Sequence, residues 1–364
     1  METIIKYWVW FSSLIKTPPA KKVLLLEHFK DPALLWEAKE SELKGLSFVT
    51  PQMIIEIKDP EKRKKTDKLY DDVKKCDADV ITYNDSTYPG ELRYLNDPPV
   101  VLYCRGKLRK DDVHVAVVGS RRATQYGLNM ARRLSMELAS NGITIVSGMA
   151  RGIDSGAHKG ALDAGGRTVA VLGCGIDIVY PSENAKLMKD IISNGAVISE
   201  YPPETPPLSF NFPARNRIIS GISRAITIIE ANSKSGSLIT ADFALEQGKD
   251  VFAVPGNINS LNSVGTNMLI KDGAKLVTSA EDILSELNMS YSANNILSRT
   301  PSINQITGSE EKSIAQRLQL GPAHIDTIAR DCKISVQLAG SVLVMLELSG
   351  FVEQLPGKYY KLIE

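Results

Sequence analysis

The middle of the chain alternates short, continuous apolar runs with helical patterns, and this alternation constrains the fold more than any other feature. The runs are rich in β-branched residues and read "VHVAVVG", "ITIVSG", "TVAVLG", "AVISE", "AITIIEA" and "DVFAVPG". After the first run, "GLNMARRLSMELASNG" places Leu128, Ala131, Leu134 and Leu138 on one helix face. Continuous apolar strands separated by amphipathic helices are typical of a parallel sheet that is buried on both faces. The sequence therefore predicts an α/β, Rossmann-like domain with helices on both faces, over about residues 112–290.

The regions on either side of this domain have different patterns. Residues 1–75 are helical, and "LKGLS" is similar to the hairpin of a helix-hairpin-helix or SAM-like domain, although a plain helical packing module fits as well. Residues 76–111 are predicted to be a connecting segment and residues 291–306 a polar linker. Residues 307–364 follow the order helix, helix-turn-helix and β-wing, which predicts a winged-helix domain.

The second helix of the winged-helix pattern, "SVQLAGSVLVMLELSG", contains neither Lys nor Arg. Winged helices that read duplex DNA place this helix in the major groove, close to two rows of phosphates. We therefore expect the wing to dock protein or to be structural.

Charge and cysteine content exclude several classes of protein. The chain has 364 residues and a net charge of +1, so any nucleic-acid site has to be a local patch. The cysteines are scattered without a CxxC pair, at Cys76, Cys104, Cys174 and Cys332. We therefore predict reduced thiols, no metal site and a cytoplasmic location. The apolar start "IIKYWVWFSSLI" is too short to cross a bilayer and lacks a signal-peptide cleavage pattern, so no membrane association is expected.

Several strands are followed by loops that combine glycine with cationic or polar residues. In open parallel sheets, ligands bind at these strand ends because the loops expose backbone N–H groups. The candidate residues are Gly119, Ser120 and Arg121 in "GSRRATQYG", Arg151 in "SGMARGIDSGAH", Lys234, Ser235, Gly236 and Ser237 in "ANSKSGSLIT", and Asn267 in "VGTNMLI". Glycine alone fits any βα turn, but several cationic loops at one edge predict an anion-binding rim. No loop has GxGxxG or P-loop spacing, so we predict neither bound NAD nor ATP hydrolysis, and no cofactor.

The segment "FPARNRIISG" adds Phe212, Arg215, Asn216 and Arg217 to the candidates. No Asp or Glu occurs between Pro206 and Ile229, so the sequence offers these arginines no local partner. On a helix, residues two apart diverge by about 200°. We expect instead an extended segment leading into the helix, which would turn both arginines toward the rim. An ion pair between one arginine and a distant acidic residue remains the alternative.

Ser147, Asp154 and His158 stand close together at a predicted helix start, and a catalytic trio is conceivable there. Asp154 is more simply interpreted as an N-cap and His158 as a packed neighbour. A rim with several arginines and an aromatic residue fits a polymeric anion better, namely a single strand of nucleic acid. We therefore assign no catalytic residue.

These loops resemble those of the bacterial DNA-processing protein A family, also called Smf. The resemblance rests on "VAVVGSRRAT", "VSGMARGIDSGAHKGAL", "FPARNRIISG", "EANSKSGSLITADFALEQGKDVFAVPG" and "GTNMLIKDGA", in this order along the chain. It implies a non-enzymatic protein that binds single-stranded DNA, helps to load the RecA recombinase and acts in natural transformation as a dimer. It also implies that Arg121 holds a phosphate, that Phe212 stacks on a base and that Arg215 and Arg217 line the same pocket. Many relatives have a lysine at the position of Ser209, so DNA binding here is expected to be weaker unless Lys234 or Arg151 compensates.

Two other functions remain as alternatives. The Rossmann core of the family is similar to that of nucleotide phosphoribohydrolases, which carry a PGGxGTxxE signature. This chain has "SGSLIT" there, without the catalytic Glu. The second alternative is a transcriptional regulator whose wing reads duplex DNA while the core senses a nucleotide.

Overall fold

The computed structural model describes residues 2–292, 306, 308–348 and 351–362. The chain forms two compact units, Met1–Tyr291 and Ser292–Glu364. The predicted linker lies outside the described residues, apart from residues 291, 292 and 306.

The described residues up to Lys75 form six helices. They are α1 (Glu2–Ser12), α2 (Pro19–Phe29), α3 (Pro32–Glu37), α4 (Glu40–Lys44), α5 (Pro51–Ile57) and α6 (Pro60–Lys75). Four of them begin with proline, which is preorganised for the first helical position and lacks only an N–H that the helix leaves unpaired there. Asp31, Thr50 and Asp59 cap three of these starts by accepting backbone N–H groups.

Nine strands and seven helices follow in the same unit. The strands are β1 (Asp79–Thr82), β2 (Val101–Gly106), β3 (Val113–Val118), β4 (Ile143–Ser147), β5 (Thr168–Val171), β6 (Ala196–Ser199), β7 (Ala225–Ile228), β8 (Asp250–Ala253) and β9 (Lys275–Leu276). The helices are α7 (Gln125–Ser140), α8 (Ile153–Asp163), α9 (Ala185–Asn194), α10 (Asn211–Ile222), α11 (Gly236–Glu246), α12 (Val264–Lys271) and α13 (Ala280–Glu286). Short 3₁₀ turns lie at Gly90–Tyr94, Ser182–Asn184 and Leu261–Ser263.

The nine strands form one sheet in the order β1-β2-β6-β5-β4-β3-β7-β8-β9. All pairs from β6 to β9 are parallel, and β2 is antiparallel to both β1 and β6. The chain steps from β3 outward to β6 and then crosses to β7, on the other side of β3. The boundary between β3 and β7 is therefore the point where the strand order reverses, and in such sheets ligands bind outside the carboxyl ends of the strands at this point.

The sheet is buried on both faces, as the continuous apolar runs predict. On one face, Val115, Val117 and Ile145 pack against helices α7, α8 and α13. On the other face, Ala116 and Val118 join the cluster that contains apolar residues of α10 and α11. The α/β, Rossmann-like prediction is confirmed.

The N-terminal helices share a core with the sheet. Buried side chains of α1, including Trp10 and Phe11, belong to the same cluster as Val101 and Tyr103 of β2. The Ser12 hydroxyl and the Tyr103 hydroxyl form a hydrogen bond of 2.7 Å within it. The helical segment thus extends the core of the first unit.

The described residues of the second unit form three helices and a small sheet. Its elements are α14 (Ser309–Leu318), β10 (Ala323–His324), α15 (Ile325–Asp331), α16 (Val336–Leu348), β11 (Val352–Leu355) and β12 (Tyr359–Leu362). The strands pair antiparallel in the order β10-β12-β11. This is the winged-helix arrangement, as predicted. The exposed side of α16 carries Leu338, Val344 and Met345.

Candidate nucleic-acid interface

An open cavity of about 750 Å³ lies at the carboxyl ends of the parallel strands, where β3 and β7 meet. Its walls come from the segments that follow β3, β4, β5, β6, β7 and β8. The lining residues are Val118, Gly119, Ser120, Arg121, Arg122, Ala150, Asp154, Tyr180, Pro207, Ser209, Phe212, Pro213, Arg215, Asn216, Ile219, Asn232, Ser235, Gly236, Ser237, Thr240, Leu261 and Asn262. Nine of the thirteen residues predicted for the site are among them.

The loop after β3 presents two arginines on a fixed backbone. The Ser120 N–H donates to the Glu230 carbonyl oxygen at 2.7 Å, and the Ser120 hydroxyl accepts from the Arg122 N–H at 3.1 Å. The buried Glu230 carboxylate accepts from the Thr124 N–H at 2.9 Å and from the Thr124 hydroxyl at 2.5 Å. These bonds hold the loop after β3 against the residues that follow β7. The side chains of Arg121 and Arg122 remain exposed.

Phe212 lies at the start of α10 and forms a cluster with the aromatic ring of Tyr180 and the guanidinium of Arg121. Its ring centroid is 5.3 Å from that of Tyr180 and 5.3 Å from the Arg121 guanidinium carbon. A Cβ on Gly173 would come within 2.9 Å of the Phe212 ring, so glycine is needed there to admit the ring. The ring is half-buried, which leaves part of it available to a ligand. No motif in the sequence indicates that Tyr180 belongs to this site.

Arg215 is buried in the cavity wall. Its Nη1 donates to the carbonyl oxygens of Val171 and Gly148, the latter at 3.1 Å, and its Nε donates to Asn216 Oδ1 at 3.2 Å. Burial lowers the pKa of Arg215 to about 10, while Asp154 opposes the shift. The group therefore remains charged at neutral pH and adds a fixed positive charge to the wall.

Arg217 points away from the cavity. Its Nη1 and Nη2 donate to the two Glu200 carboxylate oxygens at 2.8 and 2.7 Å, and its Nε donates to Asp97 at 2.8 Å. Burial alone would lower the pKa of Arg217, but Glu200 and Asp97 raise it overall. The expected extended segment is wrong, because α10 begins at Asn211 and both arginines are helical. Residues two apart on a helix diverge by about 200°, which sends Arg217 to its distant acidic partners.

The loop after β7 ends in the N-terminus of α11, which faces the cavity. The Ser235 hydroxyl caps this helix, accepts from the Ser237 N–H and lies 2.7 Å from the Ser237 hydroxyl. Asn216 ties the loop to α10, because its Nδ2 donates to the Gly236 carbonyl oxygen at 3.3 Å. Unpaired N–H groups and a positive dipole at a helix N-terminus favour anions. Lys234, in the same loop, is exposed and does not line the cavity.

Arg151 and Asn267 also lie outside the main cavity. Arg151 forms a two-point ion pair with Glu183, whose Oε2 is 3.0 Å from Nη2. It lines a smaller adjoining pocket together with Arg121, Tyr180 and Phe212. Asn267 hydrogen-bonds in both directions with the backbone of Gly256, at 3.2 and 3.0 Å.

The conceivable trio of Ser147, Asp154 and His158 is not assembled. The Ser147 hydroxyl donates to the Val117 carbonyl oxygen at 2.7 Å, and His158 Nδ1 lies 2.7 Å from the Thr168 hydroxyl. Burial lowers the pKa of His158 to about 3, so the ring is neutral at physiological pH. His158 is fully buried, as the packed-neighbour interpretation predicts. The N-cap interpretation of Asp154 is wrong, because Gly152 occupies the N-cap position of α8.

The charge at the cavity mouth is unbalanced. In the part of the chain that the structure describes, Arg121, Arg122 and Lys234 form no ion pair with an acidic side chain, whereas Arg151 and Arg217 do. Over the same residues, no three His, Cys, Asp or Glu side chains gather as metal ligands. None of the described helices is long and apolar enough to cross a bilayer. The fold and cavity define a Rossmann-like α/β protein with a cationic, aromatic-bearing cavity at the switch point of its sheet.

Comparison with known proteins identifies the family. The sequence model described as DNA recombination-mediator protein A matches residues 79–288, and the model described as DprA winged helix domain matches residues 298–358. The chain therefore belongs to the DNA recombination-mediator protein A family, and the resemblance seen in its motifs is confirmed.

Named relatives and solved structures support the same family assignment. The chain is 38% identical over 292 residues to Protein Smf of Escherichia coli K12, covering 78% of this chain and 77% of the relative. It is 47% identical over 203 residues to DNA processing protein DprA of Streptococcus pneumoniae R6, covering 56% of this chain and 72% of the relative. The crystal structure of DprA from Streptococcus pneumoniae has a TM-score of 0.65 at 37% identity and covers 79% of this chain and 98% of that chain. A structure of DNA processing protein A from Helicobacter pylori, described by its single-stranded DNA binding mode, has a TM-score of 0.54 at 34% identity, covering 60% and 99%.

Proposed function

We propose that the chain binds single-stranded DNA in the cavity at the β3–β7 boundary and delivers it to the RecA recombinase during natural transformation. It acts in the cytoplasm, as a homodimer and without catalysing a reaction. The observation that carries the DNA-binding proposal is the meeting of Arg121, Phe212 and Arg215 in one cavity. RecA loading, dimerisation and transformation rest on membership of the family.

Each part of the cavity suits a different part of a nucleotide. The exposed Arg121 and Arg122 and the N-terminus of α11 suit phosphate oxygens, because all three supply positive potential or N–H donors. The half-buried Phe212 ring suits a base, since aromatic stacking does not depend on which base is present. Arg217 has its partners within the protein and is not used in this proposal.

The observations favour neither alternative function. Ser147 and His158 are bonded to other partners, and "SGSLIT" lacks the catalytic Glu of the phosphoribohydrolase signature. Incubation with AMP or CMP should therefore release no free base. Residues 336–348 of α16 contain no Lys or Arg, and this helix exposes apolar side chains instead. A helix of this composition does not fit the phosphates that flank a major groove.

A competition shift assay tests the proposal on the whole chain. The complex is formed with labelled oligo-dT and challenged with unlabelled oligo-dT or with duplex DNA of the same length. We expect the single strand to compete at much lower concentration than the duplex, because a duplex hides its bases from Phe212. Stronger competition by a duplex of any sequence would support the regulator alternative and contradict the proposal.

A further inference from the structure

A second open pocket, here called the outer pocket, adjoins the cavity and has no part in the proposed function. It has a volume of about 370 Å³. It is lined at the start of α7 by Thr124 and Tyr126, after β7 by Glu230, and in the loop after β8 by Gly256, Asn257, Ser260 and Ser263. Pockets that bind small molecules usually measure about 300–1,000 Å³, so the outer pocket has room for part of a nucleotide.

The outer pocket and the cavity are built from the same segments of the chain. After β3, Arg121 and Arg122 line the cavity, and Thr124 lines the outer pocket. In the loop after β8, Leu261 and Asn262 line the cavity, whereas the residues on either side of them line the outer pocket. Asn262 Nδ2 donates to the Arg122 carbonyl oxygen at 2.9 Å and joins the two segments. Because Arg122 and Thr124 are two residues apart, their Cα atoms are separated by at most about 7 Å, the rise of about two stacked nucleotides.

The unpaired charge at the cavity mouth lies on the side of the outer pocket. Among the described residues, the exposed Arg122 has no acidic partner, whereas Arg151 is paired with Glu183. A phosphate that leaves the cavity therefore meets a free guanidinium at Arg122 and a neutralised one at Arg151. Positive potential thus favours a path of the DNA backbone past Arg122 toward the outer pocket.

The outer pocket itself suits a base better than a phosphate. None of the described residues that line it is Lys or Arg, and the Glu230 carboxylate beside Thr124 would repel a phosphate. Tyr126 supplies an aromatic ring that is 48% exposed. Its hydroxyl donates to the Pro255 carbonyl oxygen at 2.9 Å, which fixes the ring before any ligand arrives. A base that stacks on a fixed ring pays little for ordering the side chain.

We propose that the bound strand continues past Arg122, which contacts a phosphate, and places a second base against Tyr126 in the outer pocket. Phe212 and Tyr126 then hold one base each, the first in the cavity and the second in the outer pocket. This inference rests on the proposed function and adds a second base-binding subsite to it.

Strands of equal length in which most nucleotides are abasic test the inference on the full chain, because they keep every phosphate. One strand carries a single thymine, and two others carry a pair of thymines, either consecutive or separated by one abasic nucleotide. In fluorescence anisotropy, the better of the two paired strands should bind roughly fivefold to 150-fold more tightly than the single-thymine strand, as one further stacked base provides. A gain of no more than about twofold at both spacings, which two equivalent positions give by number alone, would overturn the inference.

Tyr126→Ala assigns the second subsite. In this variant the gain from the second thymine should fall to about twofold or less, because the ring that holds the base is missing. Tyr126→Phe is the matched control: it loses only the hydroxyl and should retain the gain. Retention of the full gain by Tyr126→Ala would contradict the inference. If that variant does not fold, Tyr126→Leu makes the same test with an apolar side chain that has no ring face.

The parent protein and oligo-dT separate this inference from the proposed function. Failure of the parent protein to bind oligo-dT would overturn the proposed function and this inference with it. Binding of oligo-dT without a gain from the second thymine would overturn the second subsite alone.

Discussion

Replacement of Arg217 by alanine is expected to lower the free energy of unfolding by about 3–5 kcal/mol, because it leaves the Glu200 carboxylate in a largely buried position without its partner. The Arg217 side chain is 4% exposed and that of Glu200 is 14% exposed, so little solvent replaces the lost contact. Asp97 is half-exposed and contributes less. Urea denaturation measures the change. Arg224→Ala is the matched control, since Arg224 is exposed two residues beyond the end of the same helix, and its effect should stay within about 0.5 kcal/mol. A loss of less than about 0.5 kcal/mol for Arg217→Ala would show that the ion pair does not stabilise the fold.

Replacement of Phe212 by alanine is expected to weaken binding of single-stranded DNA by about 1–3 kcal/mol, which is the usual contribution of one base stacked on an aromatic ring. The dependence of affinity on salt should stay the same, because stacking displaces no counterion. Phe210→Ala serves as the control: Phe210 is 68% exposed, two residues away, and does not line the cavity. Anisotropy titration with oligo-dT measures both variants. An equal loss for both would mean that the cavity does not hold the base.

The fold was predictable from local patterns. Continuous apolar strands such as Val113–Val118 need cover on both faces, and the helical patterns between them supply it. The strand order was not readable from these runs, and it is the strand order that brings the loops after β3 and β7 together. Most candidate residues nevertheless meet in the cavity, since parallel strands put their carboxyl ends at one edge.

The role of Arg217 could not be read from its neighbours in the sequence. Its partners are Glu200, 17 residues away, and Asp97, 120 residues away. The acid-free stretch around Arg217 therefore indicated a free cation where the fold supplies two carboxylates. Local sequence predicts which side chains a loop offers, whereas only the assembled fold decides whether a charged group is already paired.

Glu230 and Tyr180 were missed for related reasons. In the sequence, Glu230 is only the residue that ends an apolar run. In the structure, its carbonyl oxygen and its carboxylate hold the loop that carries Arg121. Tyr180 comes from the loop after β5, and only the path of that loop brings its ring to Phe212. The family resemblance pointed to Arg121 and Phe212, and the contacts that position them became visible only in three dimensions.

The salt dependence of single-stranded DNA binding by Arg121→Ala, compared with that of Arg109→Ala, tests whether the cavity at the β3–β7 boundary binds phosphate. Both arginines are exposed, but Arg121 lines the cavity after β3 whereas Arg109 precedes β3 at the opposite edge of the sheet. We expect weaker binding of oligo-dT by Arg121→Ala, with a log–log salt slope that is shallower by about 0.7 for the lost phosphate contact, and no change for Arg109→Ala. Affinity and slope equal to those of the parent protein for Arg121→Ala would contradict the claim that this cavity binds DNA.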